Sequence, residues 1–358
     1  MSVAYQINPA HTGSVKTSGV KPPLTVKWSV SLNGTASYPL VVPGEVIVID
    51  GGGGSGPSAL KALKSSDGSL LWSQAAPSGG WIGAAYDKGS VFVVTTNGTM
   101  SAFAAADGQQ LWSVSLPYQY AFSSPVTALN GMAYTGGAGE GGTVYAVQES
   151  SGQVLWTAGV ENGDSSAPAI VGKGVYVSYV CPQTYKFQAK TGTQVWHYSG
   201  GCEGGGGETA VVNGGLVYVR DLYNYPTDGI TLNANTGALV NGFNSYYAPA
   251  FAGNTAFYTE QSTLTAVLLK TGSTLWTAVP GSGETFSCSP VIVNGTVYSG
   301  TSAGNLLGYS AKTGKQAFSM NLGQPISCGE YFSVPQAGMG AGQGLLVVPA
   351  GNELYALQ

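Results

Sequence analysis

AADGQQLW (105–112) decides the fold, because the same phrase returns at a steady stride along the chain. The other copies read SSDGSLLW (65–72), ESSGQVLW (149–156), AKTGTQVW (189–196), ANTGALVN (234–241), LKTGSTLW (269–276) and AKTGKQAF (311–318). In each, a turn glycine sits four residues before the last position. These glycines (Gly68, Gly108, Gly152, Gly192, Gly237, Gly272, Gly314) are 40, 44, 40, 45, 35 and 42 residues apart. That stride is the length of one four-stranded propeller blade. An eighth copy is divided between the termini. The chain ends NELYALQ (352–358), like TVYAVQ (143–148), and LTVKWSVSL (24–32) supplies the missing tryptophan, Trp28. The expectation is an all-β, eight-bladed β-propeller of four-stranded antiparallel blades. An N-terminal strand joins the C-terminal blade, which closes the ring and removes its open edge.

Within one repeat the period is two. Blade 3 reads SPVTAL, the turn Asn130-Gly131, MAYTGG, a loop, TVYAVQ, the turn Ser151-Gly152 and QVLWTAGV: four short strands, A to D. Small residues six before the turn glycine (Ala62, Ala102, Ala146, Ala266, Gly308) let neighbouring blades approach. Trp28, Trp72, Trp112, Trp156, Trp196 and Trp276 then pack between blades, each N–H reaching a carbonyl. Blades 5 and 7 carry Asn241 and Phe318 instead, so those two joints should be less regular.

The string A-x-x-x-x-T/D/S-G-x-x-x-W resembles the tryptophan-docking motif of the pyrroloquinoline quinone (PQQ)-like propellers, from Leu24 to Gln358. That superfamily contains PQQ-dependent alcohol and sugar dehydrogenases and non-catalytic scaffolds of outer-membrane protein assembly. The resemblance implies eight blades and leaves quinone binding open. YTGGAGEGGTVYAV (134–147) is similar to the stretch whose glutamate ligates Ca²⁺ beneath the quinone, with Glu140 at the ligand's place. PQQ and Ca²⁺ are the cofactors this implies; the competing reading is a polar loop tip between glycines. Other family features are absent: the vicinal Cys-Cys pair, the arginine-bearing segment after the glutamate (here Gly141-Gly142-Thr143) and a Gly-Asn-Pro loop in blade 4.

Composition bounds the rest. At 358 residues one propeller (24–358) behind a lead segment (1–23) uses the whole chain. With 55 glycines and 43% hydrophobic residues, the 8% charged content fits a turn-rich globular protein rather than a disordered one. A net charge of −4 and a single arginine, Arg220, exclude the clustered cations that nucleic acid needs. No apolar run approaches the roughly 18 residues of a membrane span. MSVAYQINPAHTG reads as a mature terminus behind an added Met, so an extracellular or periplasmic monomer with its leader removed is expected.

Blade topology puts B–C and D–A connections on one face, here the top, and A–B and C–D turns on the bottom. Cys181 and Cys202 fall in top connections around blade 4. Cys288 and Cys328 occupy matching places at the entrances of blades 7 and 8. Two disulfides, Cys181–Cys202 and Cys288–Cys328, fit an oxidising compartment; four reduced buried thiols are the alternative. Eleven of the 17 acidic residues map to the top: Asp50, Glu140, Glu161, Asp164, Glu203, Glu208, Asp221, Asp228, Glu260, Glu284 and Glu330. Trp81, Tyr118, Tyr120, Phe122, Tyr223, Tyr225, Tyr246, Tyr247, Phe286 and Tyr331 join them. An acidic, aromatic-lined funnel suits a glycan, peptide or protein ligand, or a cation. Long loops also expose such residues without purpose.

Catalytic constellations are sparse. His11 lies in the lead and His197 on an outer strand, so neither serves the funnel. Glu203, Glu208, Glu284 and Glu330 could face each other as glycosidase carboxylates, and Arg220-Asp221 beside Tyr223 and Tyr225 could serve a lyase. Three functions follow: an exported binding or scaffold propeller, a PQQ- and Ca²⁺-dependent dehydrogenase, or a carbohydrate-active lyase or hydrolase.

Overall fold

The computed structural model describes residues 1–51, 58–139, 141–161, 166–179, 182–200, 209–220, 229–329 and 336–358. Eight antiparallel blades form the expected ring, without a helix among these residues. Blade 3 runs through Thr127–Leu129, Met132–Gly139, Gly141–Gln148 and Val154–Val160. Blade 8 takes strands A to C from the C-terminus, and Val26–Ser31 pairs with Glu353–Leu357 as its strand D. Ser14–Val15 adds a parallel fifth strand to blade 7.

Strand D carries the logic of the ring. Its pairing with strand C slips by one residue just before the tryptophan: Ala102 faces Trp112, but Phe103 faces Gln110. The bulged residue, Leu111, is left 49% exposed, and the tryptophan turns inward. The same slip leaves Leu71, Leu155, Val195 and Leu275 on the outer wall.

Each inward indole docks on the next blade. Its N–H donates to the carbonyl three residues before that blade's turn glycine: Trp28 to Ser65, Trp72 to Ala105, Trp112 to Glu149, Trp156 to Ala189, Trp196 to Ala234 and Trp276 to Ala311. The distances are 2.5 to 3.2 Å. The glycine then lies flat beneath the ring: a Cβ on Gly152 (φ +73°) would meet Trp112 at 2.7 Å. Of the two joints expected to be irregular, Phe318 fills its place and is 7% exposed. Asn241 leaves its place open, with nothing within 4 Å of a Cβ on Gly272.

The lead segment is not a free tail. Residues 2–15 cross the bottom of the channel and take backbone bonds from the innermost strands. Tyr86, Ile170, Val212, Phe251 and Ile292 donate their amides to Val3, Pro9, Ala10, Thr12 and Gly13. His11 is fully buried there, its Nδ1 2.9 Å from the Ala210 carbonyl oxygen. Ile7 sits at φ +77°, a conformation a β-branched residue adopts only when its surroundings hold it there. This segment thus crosses the channel at the A–B end.

Two expectations concern the joint between blades 2 and 3. Gly152→Ala should destabilise by about 3 kcal/mol or more, because the new Cβ meets Trp112 as well as an unfavourable φ. Gly272→Ala, also at positive φ but over an empty dock, should cost about 1–2 kcal/mol. Equilibrium denaturation of the two variants checks the difference. Beside the same joint, burial, the charge of Asp87 and a shared proton with it push the Glu149 carboxyl up to about 7, partly opposed by Lys88. The folded protein therefore keeps a proton that the unfolded chain releases from 4.5 upward. Stability should fall as pH rises from about 4.5 to about 7 and then level off. Glu149→Gln should remove that slope and add about 1 kcal/mol at pH 8, a figure reduced for the pair's partial exposure. Thermal unfolding across that pH range is the measurement.

Candidate functional site

Among the described top-face connections, the D–A loop from blade 2 to blade 3 is firmly built. Phe122 anchors it: counted in sequence among the funnel aromatics, it is 1% exposed and packs over Gly98 and Gly137. Ala121 and Ala138 exchange backbone hydrogen bonds, Gln119 Nε2 donates to Thr143 Oγ1 at 2.9 Å, and the Tyr145 hydroxyl donates to the Pro117 carbonyl. The loop is thereby fastened to the longest hairpin among the described residues, whose strands end in the Gly139–Gly141 pair. On this ledge Tyr118 and Tyr120 are 82% and 73% exposed. Tyr118 holds φ +75°, which for a side chain of its size costs about 1–2 kcal/mol.

A second cluster lies above blades 5 and 6. Arg220, 2% exposed, donates from Nη1 to the Tyr246 carbonyl at 2.8 Å. Tyr246 meets Tyr247 edge to face at 5.0 Å. Burial, then Tyr246, push the Tyr247 hydroxyl up to about 12 against the opposing pull of Arg220, so it stays a neutral donor.

Other expected ligand residues are used by the fold. Trp81 is a correction: it is 1% exposed, edge-on to Phe103 at 5.7 Å, because inner strand A of blade 2 begins at that residue. Phe286 is likewise fully buried. Asp50 is 2% exposed, paired with Lys61 at 2.5 Å and bonded to Asn33 and Gly34. Burial would raise the Glu284 carboxyl, but hydrogen bonds from Thr301, Asn305 and the Gly281 amide outweigh it and hold the pKa below the ordinary value. Glu161 is exposed at the end of blade 3. Cys288 and Cys328 form the expected disulfide, Cα–Cα 4.6 Å. Glu140, Asp164, Glu203, Glu208, Glu330, Tyr331, Cys181 and Cys202 lie outside the described residues.

Glu140, the residue expected to hold Ca²⁺ beneath a quinone, lies outside the described residues, and the described carboxylates Asp50 and Glu284 are already engaged. No group of three His, Cys, Asp or Glu comes together among the described residues. We derive no step through such a cofactor.

Sequence reading overlooked a set of hydroxyls at the channel mouth. Ser37, Ser124, Ser166 and Ser245 are fully buried or nearly so, and each accepts an amide from the end of strand B: Ile49, Gly136, Ser178 and Thr259. Their signal was the serine placed one to four residues before the proline that opens each blade: Pro39, Pro125, Pro168 and Pro249.

The family model described as outer membrane protein assembly factor BamB matches residues 23–139 and 140–327. The chain belongs to this family of PQQ-like repeat propellers. Among solved structures, a europium-containing methanol dehydrogenase superposes with a TM-score of 0.79 at 13% identity, covering 99% of this chain and 97% of its own. BamB from Moraxella catarrhalis superposes at 0.69 and 16% identity, over 94% and 97%. These likenesses establish the fold. A tetrathionate hydrolase from Acidithiobacillus ferrooxidans is 26% identical over 270 residues, 67% of this chain and 53% of that protein. The chain spans about half the length of that relative.

The strain at Tyr118 has a measurable consequence. Tyr118→Gly should leave stability unchanged or raise it by about 1 kcal/mol, since glycine adopts φ +75° freely and the lost ring packs against little. Tyr118→Val should lower it by about 1–2 kcal/mol. Chemical denaturation of both variants distinguishes them.

Proposed function

We propose that this protein is an exported binding propeller whose Tyr118–Tyr120 ledge takes an extended peptide segment of an exported protein partner. One observation carries the reading. Tyr118 is held in a strained backbone conformation by a tightly bonded loop, yet gives 82% of its surface to solvent. Inside the fold that strain is not offset by packing. A rigid, exposed tyrosine pair is instead suited to contact, because each ring offers a large apolar face and a hydroxyl with little ordering entropy to lose. The Arg220–Tyr246–Tyr247 cluster adds hydrogen-bonding capacity elsewhere on the same face.

Support of a coarser kind comes from the family, whose model carries the description of an assembly factor, and from the Cys288–Cys328 disulfide, which suits an oxidising compartment. No helix of the described residues is long and apolar enough to cross a membrane. The dehydrogenase reading has no matching donor set among the described residues. Tetrathionate hydrolysis, the activity in the relative's name, has no support here beyond the match itself.

Selection from a displayed peptide library, beside a glycan array, tests the proposal with wild type and a Tyr118→Ala/Tyr120→Ala variant. Peptides whose affinity falls about tenfold or more in the variant support it. Ligands indifferent to the substitutions, or glycans alone, reject the peptide ledge.

A further inference from the structure

The joint between blades 5 and 6 is the one place among the described residues where the docking position is empty. Six joints there hold an indole and a seventh a phenyl ring. Here Asn241, exposed, stands opposite Thr231 where the tryptophan would be. Gly272 is exposed, whereas the turn glycines beneath docked indoles are buried or half-buried. The Leu269 carbonyl, three residues before Gly272, is the counterpart of the oxygen that receives each indole N–H. What remains is a cleft of about 460 Å³ with Tyr218, Phe243, Tyr258, Val267 and Leu269 in its walls. Its inner end is firm. Phe243 of blade 5 stacks on Tyr258 of blade 6 at 5.3 Å, and Tyr218 meets Phe251 at 4.6 Å.

We infer that this cleft binds a free planar aromatic heterocycle of the indole class. The ring would lie over Gly272 and donate its N–H to the Leu269 carbonyl. The inference is independent of the Tyr118–Tyr120 ledge, since the cleft lies between blades 5 and 6 and shares no residue with it. Its basis is the repeat itself: the same backbone mould is filled by a covalently attached indole at six joints. A cavity left by removing a large apolar side chain keeps its shape and accepts a ligand of matching form. The open dock requires no rearrangement to be used, which lowers the entropy of binding it must overcome.

Ligand-observed ¹⁹F NMR with 5-fluoroindole and the full chain tests this. A Kd on the order of 1 mM or tighter is expected for so small a ligand. Asn241→Trp should weaken it at least tenfold and raise Tm by about 2 °C or more as the seventh indole docks. Asn241→Met, a milder filling at an exposed position, should also weaken binding and serves if the tryptophan variant fails to fold. 1-Methylindole, which lacks the donor, should bind about three- to tenfold more weakly than indole in competition. No binding at 10 mM, or binding unchanged in both filled variants, overturns the site. N-Acetyltryptophanamide binding tenfold tighter than indole would reassign it to a peptide side chain. Tyr118→Ala/Tyr120→Ala should leave the titration unchanged, so failure of either proposal is read separately.

Discussion

An indole laid flat on the turn glycine of the next blade is the contact on which the ring depends. It couples three requirements in one motif. The glycine must lack a Cβ, the carbonyl three residues earlier must point outward, and strand D must slip by one residue to turn the ring inward. A blade alone is a small twisted sheet with two open faces, and its stability comes largely from the interfaces to its neighbours. The core follows this plan. It is divided among clusters such as that of Phe92, Met100, Val126 and Tyr145, which joins blades 2 and 3, rather than gathered at one centre.

That contact is also why the fold was legible in sequence. Its parts sit at fixed spacing within eight residues, so Trp112, Gly108 and Ala105 announce the joints without any long-range information. The candidate site lacked such local marks. Trp81, Phe122 and Phe286 follow loops and look like ligand-facing aromatics, yet each turns inward as an anchor. Whether an aromatic beside a loop points in or out depends on the strand register beyond it, which composition does not carry. Glu284 was recognised as a top-face residue, but its three hydrogen-bond partners come from positions 281, 301 and 305. The plug of residues 2–15 had no signal at all, because it belongs to no repeat and is held by backbone bonds.

With residues 2–15 bonded across the bottom of the channel and buried serines bracing the inner strands, the connections of the top face are the part of the molecule least tied to the repeat. The same fold recurs in a methanol dehydrogenase and in BamB. Function is set by what the connections present. Here the described connections present the exposed Tyr118 and Tyr120, while the Asp50 and Glu284 carboxylates are bonded within the fold.

A closed ring with one indole missing raises the question of how that joint holds. Three substitutes are in place. Phe243, two residues beyond Asn241 on the same face of strand D, stacks on Tyr258 and moves the aromatic contact inward. The paired Tyr218 and Phe251 widen it. The plug then staples the two blades from below, taking the Val212 amide of blade 5 on Ala10 and the Phe251 amide of blade 6 on Thr12, while Gln6 reaches the Ala248 carbonyl. The joint thus derives its strength from the channel side, and its outer half is released from any structural duty. An interface that holds without its outermost ring can leave that position open to solvent, and only at such a joint can a mould for an aromatic ring stay empty without opening the ring of blades.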